Sequence, residues 1–129
     1  MPLSQEKKRL IGVMIALIGL TAAAYWQVGD CGFLNYDDDL YVTANPHVQA
    51  GVTAESIAWA FKATEAANWR PLTWLSHILD GELYGLKPAR HHLTSLVIHI
   101  SNVLLLLWLF FLATGALWRS AFAARLIDD

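Results

Sequence analysis

Apolar and polar positions divide this chain into three parts. From Leu10 to Val28 no charged residue interrupts the sequence, and Leu93 to Trp118 contains no Asp, Glu, Lys or Arg. A helix rises about 1.5 Å per residue and the hydrocarbon core of a bilayer is about 30 Å thick, so about 20 apolar residues cross it. Both blocks reach that length. The centre of the second, Val103–Leu112, has no polar face, and a soluble fold of this size could not cover such a helix. The pattern predicts an all-α membrane protein: a tail at 1–9, transmembrane helices at 10–28 and 92–118, a partly helical outer segment at 29–91 and a tail at 119–129. The first block has a second reading. Lys7, Lys8 and Arg9 followed by Leu10–Leu20 and Ala22-Ala23-Ala24 also fit a cleaved signal peptide, whereas Tyr25 and Trp26 suit the aromatic belt of a retained helix.

The middle carries period and punctuation of its own. Asn45-Pro46 predicts a turn, because proline lacks a donor and restricts the residue before it. Thr53 is a good N-cap for a short helix over 54–63, with Ile57, Ala60 and Phe61 on one face. Pro71 suits the first turn of a second helix, 71–83, with an apolar stripe of Leu72, Leu75, Leu79 and Leu83 and Ile78 beside it. Gly85 and Pro88 then break the chain. Apolar faces and tryptophans place both short helices on a membrane surface.

Composition sharpens the class. The chain is 56% apolar and 16% charged, with mean hydropathy +0.39, against about 45–50% and about 25% for ordinary soluble domains. Nine basic residues against eleven acidic ones leave no cationic excess for nucleic acid. Cys31 alone cannot form a disulfide within the chain or a cysteine-based zinc site. Lys7, Lys8 and Arg9 precede the first block, and Arg119 and Arg125 follow the second. By the positive-inside rule both termini are cytoplasmic and 29–91 faces the periplasm, cell exterior or an organelle lumen.

Candidate chemistry lies mostly in the outer segment. Asp37-Asp38-Asp39 stands among Phe33, Tyr36 and Tyr41. Adjacent carboxylates disfavour one another's charge unless a cation or donor offsets them, so the triplet is either a solvated turn or a place for a catalytic base or a divalent cation. Arg70 and Arg90 could neutralise a phosphate, or Arg70 could pair with a nearby carboxylate. His92, Ser95, His99 and Asn102 share one helical face at the start of the second block, where polar groups either line a wet cavity or bond helix to helix. His91 and His92 are placed at the interface, where they would meet solvent or a headgroup. Walker, Rossmann, nucleophile-elbow and H-E-x-x-H motifs are absent.

Phe33-Leu-Asn-Tyr-Asp-Asp38, Asn45-Pro-His-Val48, Asn68-Trp-Arg-Pro-Leu72, Gly85-x-x-Pro88 and His92-x6-His99 come in an order that resembles the start of GT-C superfamily glycosyltransferases. The similarity is to transmembrane and tetratricopeptide-repeat O-mannosyltransferases and their bacterial relatives, and it covers about residues 10–112. It implies the N-terminal portion of a GT-C-like fold in a multi-pass protein of the bacterial inner membrane. Such an enzyme moves a sugar from a polyprenyl-phosphate donor to an acceptor hydroxyl, including protein Ser/Thr. The resemblance makes Asp37 or Asp38 the general base, with Asp39 an extra carboxylate. It gives Arg70, His91 and His92 to substrate, with Arg70 on the donor phosphate. No cofactor is required by it, though a divalent cation at Asp37, Asp38 and Asp39 fits the chemistry. Its partners would be membrane lipids, the lipid-linked sugar, and further transmembrane helices of a longer protein or of a partner subunit. Ser95 departs from the asparagine common in relatives. Two helices and a loop cannot enclose a lipid-linked sugar, so the chain alone is expected to be inactive. The alternative is a non-catalytic membrane anchor or assembly module of a repeat-containing protein.

Overall fold

The computed structural model describes residues 5–65 and 68–125. Regular structure among them is helical throughout: α1 (Gln5–Ala24), α2 (Pro46–Gln49), α3 (Ala54–Lys62), α4 (Pro71–Tyr84) and α5 (Pro88–Arg125). A 3₁₀ turn spans Trp26–Asp30 and a wide, π-type turn spans Asp39–Thr43. The chain divides into two units, Met1–Trp26 with Leu96–Asp129, and Gln27–Ser95.

The first unit holds α1 and the longer, C-terminal part of α5. Two stretches, Lys7–Asp30 and Pro88–Gly115, are long and apolar enough to cross a membrane, and none of the most apolar window of either is buried. Helices that are apolar all round need an apolar surrounding, which lipid or further helices supply. An open apolar cleft of about 340 Å³ lies between Leu10 and Met14 of α1 and Leu104, Leu105 and Trp108 of α5. The ring of Tyr25 meets His99 edge-on at 6.0 Å.

In the second unit α2 and α3 begin where side chains satisfy their first N–H groups. The Asn45 side chain accepts from the N–H groups of His47 and Val48 and donates to the Leu40 carbonyl, so one buried residue both starts α2 and ties it to the preceding turn. Thr53 accepts from the Ser56 N–H at 3.0 Å and starts α3. Pro71 is the first residue of α4, where a missing N–H costs nothing. Gly85, at φ +59, follows its last turn in a conformation that L side chains rarely adopt.

Val42, Val48, Ala60, Ala63, Trp74 and Ile78 form the core, with Phe33, Tyr41, Trp59 and Leu75 packed against it. The buried face of α4 therefore runs through Trp74 and Ile78. Of the leucine stripe only Leu75 packs against the core, while Leu72, Leu79 and Leu83 are exposed, Leu72 at 77%. On α3 the buried residues are Ser56 and Ala60, and Ile57 and Phe61 face outward. Small residues on α3 let it approach α4, where the larger Ile57 or Phe61 would hold it away.

At Gly81 the backbone of α4 lies close against that of α2. A Cβ there would run into the Val48 carbonyl oxygen, which is backbone and has little room to yield. Gly81→Ala is expected to destabilise the unit by about 1–3 kcal/mol, the usual cost of overpacking. Urea unfolding followed by tryptophan fluorescence measures it. An unchanged midpoint would mean that α2 moves aside freely.

Candidate functional site

The wide turn at Asp39–Thr43 is closed by the Ala44 N–H donating to the Asp39 carbonyl at 2.8 Å, five residues back. One extra residue in a helical turn redirects the side chains around it, and such turns are frequent at functional sites. Here the three carboxylates that precede and open the turn separate. Asp37 and Asp39 are exposed, whereas Asp38 is half-buried. Asp38 Oδ2 accepts from the Leu34 N–H at 2.7 Å, and Asp39 Oδ1 accepts from the N–H of its neighbour Leu40 at 2.8 Å. Among the described residues the triplet does not form a convergent group of cation ligands.

The same turn points Tyr41 inward. Its ring stacks on Trp74 with centroids 5.2 Å apart, and Trp74 meets Trp59 edge-on at 4.8 Å. Arg70, immediately before α4, lies over the Tyr41 ring, 5.1 Å from the centroid, and an Nη donates to the Tyr41 hydroxyl. Its Nε is buried with no hydrogen-bond partner. Among the described residues no carboxylate pairs with Arg70 within 4.0 Å. Its charge is thus held by a phenol and an aromatic face, with donor capacity left over.

One turn beyond Trp74, α4 carries His77 and Asp80, whose i, i+3 spacing sets them on one face. α5 adds His91 from its first turn. Ligand-type atoms of these three residues lie within 4.8 Å of one another, and this is the group of His, Cys, Asp and Glu among the described residues that could hold a metal ion. Asp80 and His91 are each only 4% exposed. Asp80 Oδ1 accepts from the Thr94 hydroxyl at 2.7 Å, and its Oδ2 stands 3.9 Å from His91 Nδ1, too far for a hydrogen bond. Burial holds the His77 imidazole below its ordinary pKa, and the neighbouring His91 and Arg70 push the same way against the opposing pull of Asp80 and Asp38.

Of the residues assigned to substrate from the sequence, His91 is turned to the interior, with Nε2 2.8 Å from the Gly85 carbonyl oxygen. His92 is half-buried, its Nε2 3.4 Å from the Gly32 carbonyl oxygen. The Phe33 ring lies against both histidines, at 5.5 and 6.2 Å. In the other unit, His99 and Asn102 are exposed on α5. His77 and Asp80 went unremarked in the sequence. The signal was present as His77-x-x-Asp80 flanking Ile78 in an otherwise apolar helix. Cys31 is exposed and unpaired. No family model, curated protein or solved structure matches the chain.

Proposed function

We propose that this chain is the outward-facing N-terminal part of a multi-pass membrane glycosyltransferase, which moves a sugar from a polyprenyl-phosphate donor to an acceptor hydroxyl. The observation that carries the reading is that Arg70, with no carboxylate within 4.0 Å among the described residues, lies over the ring of Tyr41 in the wide turn that directly follows the half-buried Asp38. Attack of a hydroxyl on an anomeric carbon needs a base for its proton, and we assign that role to Asp38, the half-buried member of the triplet. The departing lipid phosphate gains negative charge, and the Arg70 guanidinium, which no carboxylate within 4.0 Å neutralises among the described residues, is the cation proposed to meet it. His92, near the surface of the same unit, is a second contact for the donor headgroup. Two helices fit for membrane crossing agree with a lipid-linked substrate. The charge distribution around them favours cytoplasmic termini and an outer 29–91 segment, and the resemblance to bacterial glycosyltransferases suggests a bacterial inner membrane.

The test is sugar transfer from polyprenyl-phosphate donors in membranes that express the complete reading frame. The wild type is expected to transfer. Arg70→Gln is expected to lower kcat/KM for donor about 10- to 100-fold, as loss of a charge-assisted hydrogen bond of about 1.5–3 kcal/mol predicts. Arg70→Lys is expected to recover only part of this, because an ammonium cannot reproduce the planar fork. Absence of transfer from every polyprenyl-phosphate sugar would sink the enzyme reading in favour of a membrane assembly module.

A further inference from the structure

We propose that His77, Asp80 and His91 bind a divalent transition-metal ion of the zinc class. The inference stands apart from glycosyl transfer, since it uses neither sugar nor phosphate.

The argument begins with the tautomer of His91. Its Nε2 lies 2.8 Å from the Gly85 carbonyl oxygen, which can only accept, so Nε2 carries the proton. In the neutral ring Nδ1 is then a bare lone pair, and it is buried without a partner. It faces Asp80 Oδ2, another acceptor, at 3.9 Å. His77 brings a third group, with Nδ1 also buried and unpartnered. Two facing acceptors, His91 Nδ1 and Asp80 Oδ2, in a buried space with no donor between them call for a cation, and a ring nitrogen of His77 lies within 4.8 Å of the ligand atoms of both residues.

Two imidazoles and one carboxylate identify the class. Mg²⁺ and Ca²⁺ select oxygen ligands, whereas imidazole suits zinc and its neighbours. Bond lengths of about 2.0–2.2 Å put ligand atoms around a tetrahedral zinc about 3.4 Å apart. The present separations, up to 4.8 Å, close to that by movements on the order of 1 Å, within reach of side-chain rotation. The outer contacts are those that metal ligands use. His91 gives its remote N–H to a backbone carbonyl, and Asp80 is oriented by the Thr94 hydroxyl. Three protein ligands leave a fourth coordination position for water or another small donor. The ion would also join the second half of α4 to the first turn of α5 across the Gly85 turn.

The rival explanation is a protonated His91 facing Asp80⁻, which supplies one cation but leaves His77 Nδ1 unpartnered. Metal stoichiometry and cobalt spectroscopy separate the two. The chain is purified in detergent without a histidine tag, stripped with chelator, and titrated with Zn²⁺ or Co²⁺. One ion per chain is expected, with the visible absorption of four-coordinate Co²⁺. His77→Gln and Asp80→Asn are expected to lose both signals, and His99→Gln, in the other unit, to keep them. Thr94→Val retains all three ligands and is expected to weaken Co²⁺ binding about 10- to 100-fold. It therefore tests the site even where a ligand variant fails to fold, which near-ultraviolet circular dichroism of the aromatic core reports. A folded wild type that takes up no Zn²⁺ or Co²⁺ overturns the proposal. So does unchanged binding in Thr94→Val together with either ligand variant.

Discussion

Trp74→Ala is expected to destabilise the Gln27–Ser95 unit by about 3–5 kcal/mol, the range for deleting a buried aromatic side chain. Domains of this size are held by a margin of about 5–15 kcal/mol or less, so such a loss removes most of it. Trp74 is 0% exposed and holds three parts of the unit together: Tyr41 from the wide turn stacks on it, Trp59 of α3 meets its edge, and Ile78 follows it on α4. Alanine would leave a cavity bounded by helices that cannot all collapse into it. The expected signature is loss of near-ultraviolet circular dichroism and rapid proteolysis between 31 and 87. Far-ultraviolet helicity should fall much less, because α1 and most of α5 belong to the other unit. Trp74→Phe should be far milder, since it keeps a ring in the stack and removes an indole N–H that is buried without a partner. Equal damage from both substitutions would show that the indole, and not the aromatic volume, is what the core requires.

That core shows where periodicity in the sequence stops being informative. Thr53 and Pro71 announced the starts of α3 and α4 because capping chemistry is local. The two apolar blocks were legible because length and the absence of charge need no tertiary context. Which side of α4 packs inward was a different matter. Leu72, Leu75, Leu79 and Leu83 make a regular stripe, yet hydropathy cannot distinguish a face meant for protein from one meant for lipid. The protein-facing side mixes Trp74 and Ile78 with Asp80, and polar residues there weaken the apolar signal that would have marked it. On α3, Ile57 and Phe61 likewise outweigh Ser56 and Ala60 on any hydropathy scale, although the small residues are the buried ones.

The candidate site was legible in its ingredients and not in its grouping. Asp38, Arg70 and His91 all stand out by residue type. Their neighbours depend on a wide turn that carries no distinct sequence signature and on the break at Gly85–Pro88, which lets α5 bring His91 back to α4. From the sequence His91 belongs naturally beside His92 at the start of an apolar block. The turn geometry instead separates the pair, one inward to Asp80 and Gly85, the other toward Gly32. The acidic triplet is divided in the same way: residues adjacent in the chain differ in burial once the backbone turns.

That division yields the sharpest functional prediction. Asp38→Asn is expected to lower sugar transfer about 10²- to 10⁴-fold, the usual contribution of a general base, while Asp37→Asn and Asp39→Asn stay within a few-fold of wild type. Asparagine keeps an oxygen that can accept the Leu34 N–H, so the turn should survive and the loss should be chemical. It cannot take a proton from an acceptor hydroxyl. Donor binding should be preserved, which sets this variant apart from Arg70→Gln, whose deficit lies in how the donor phosphate is held. Transfer rates for the three single variants, measured beside donor affinity in the same membranes, make the comparison. A collapse confined to Asp37→Asn would move the base to an exposed carboxylate and defeat the argument from burial. Uniform tolerance of all three substitutions would mean that no carboxylate of this turn takes the proton, and the chemical role of the outer segment would then rest on Arg70 alone.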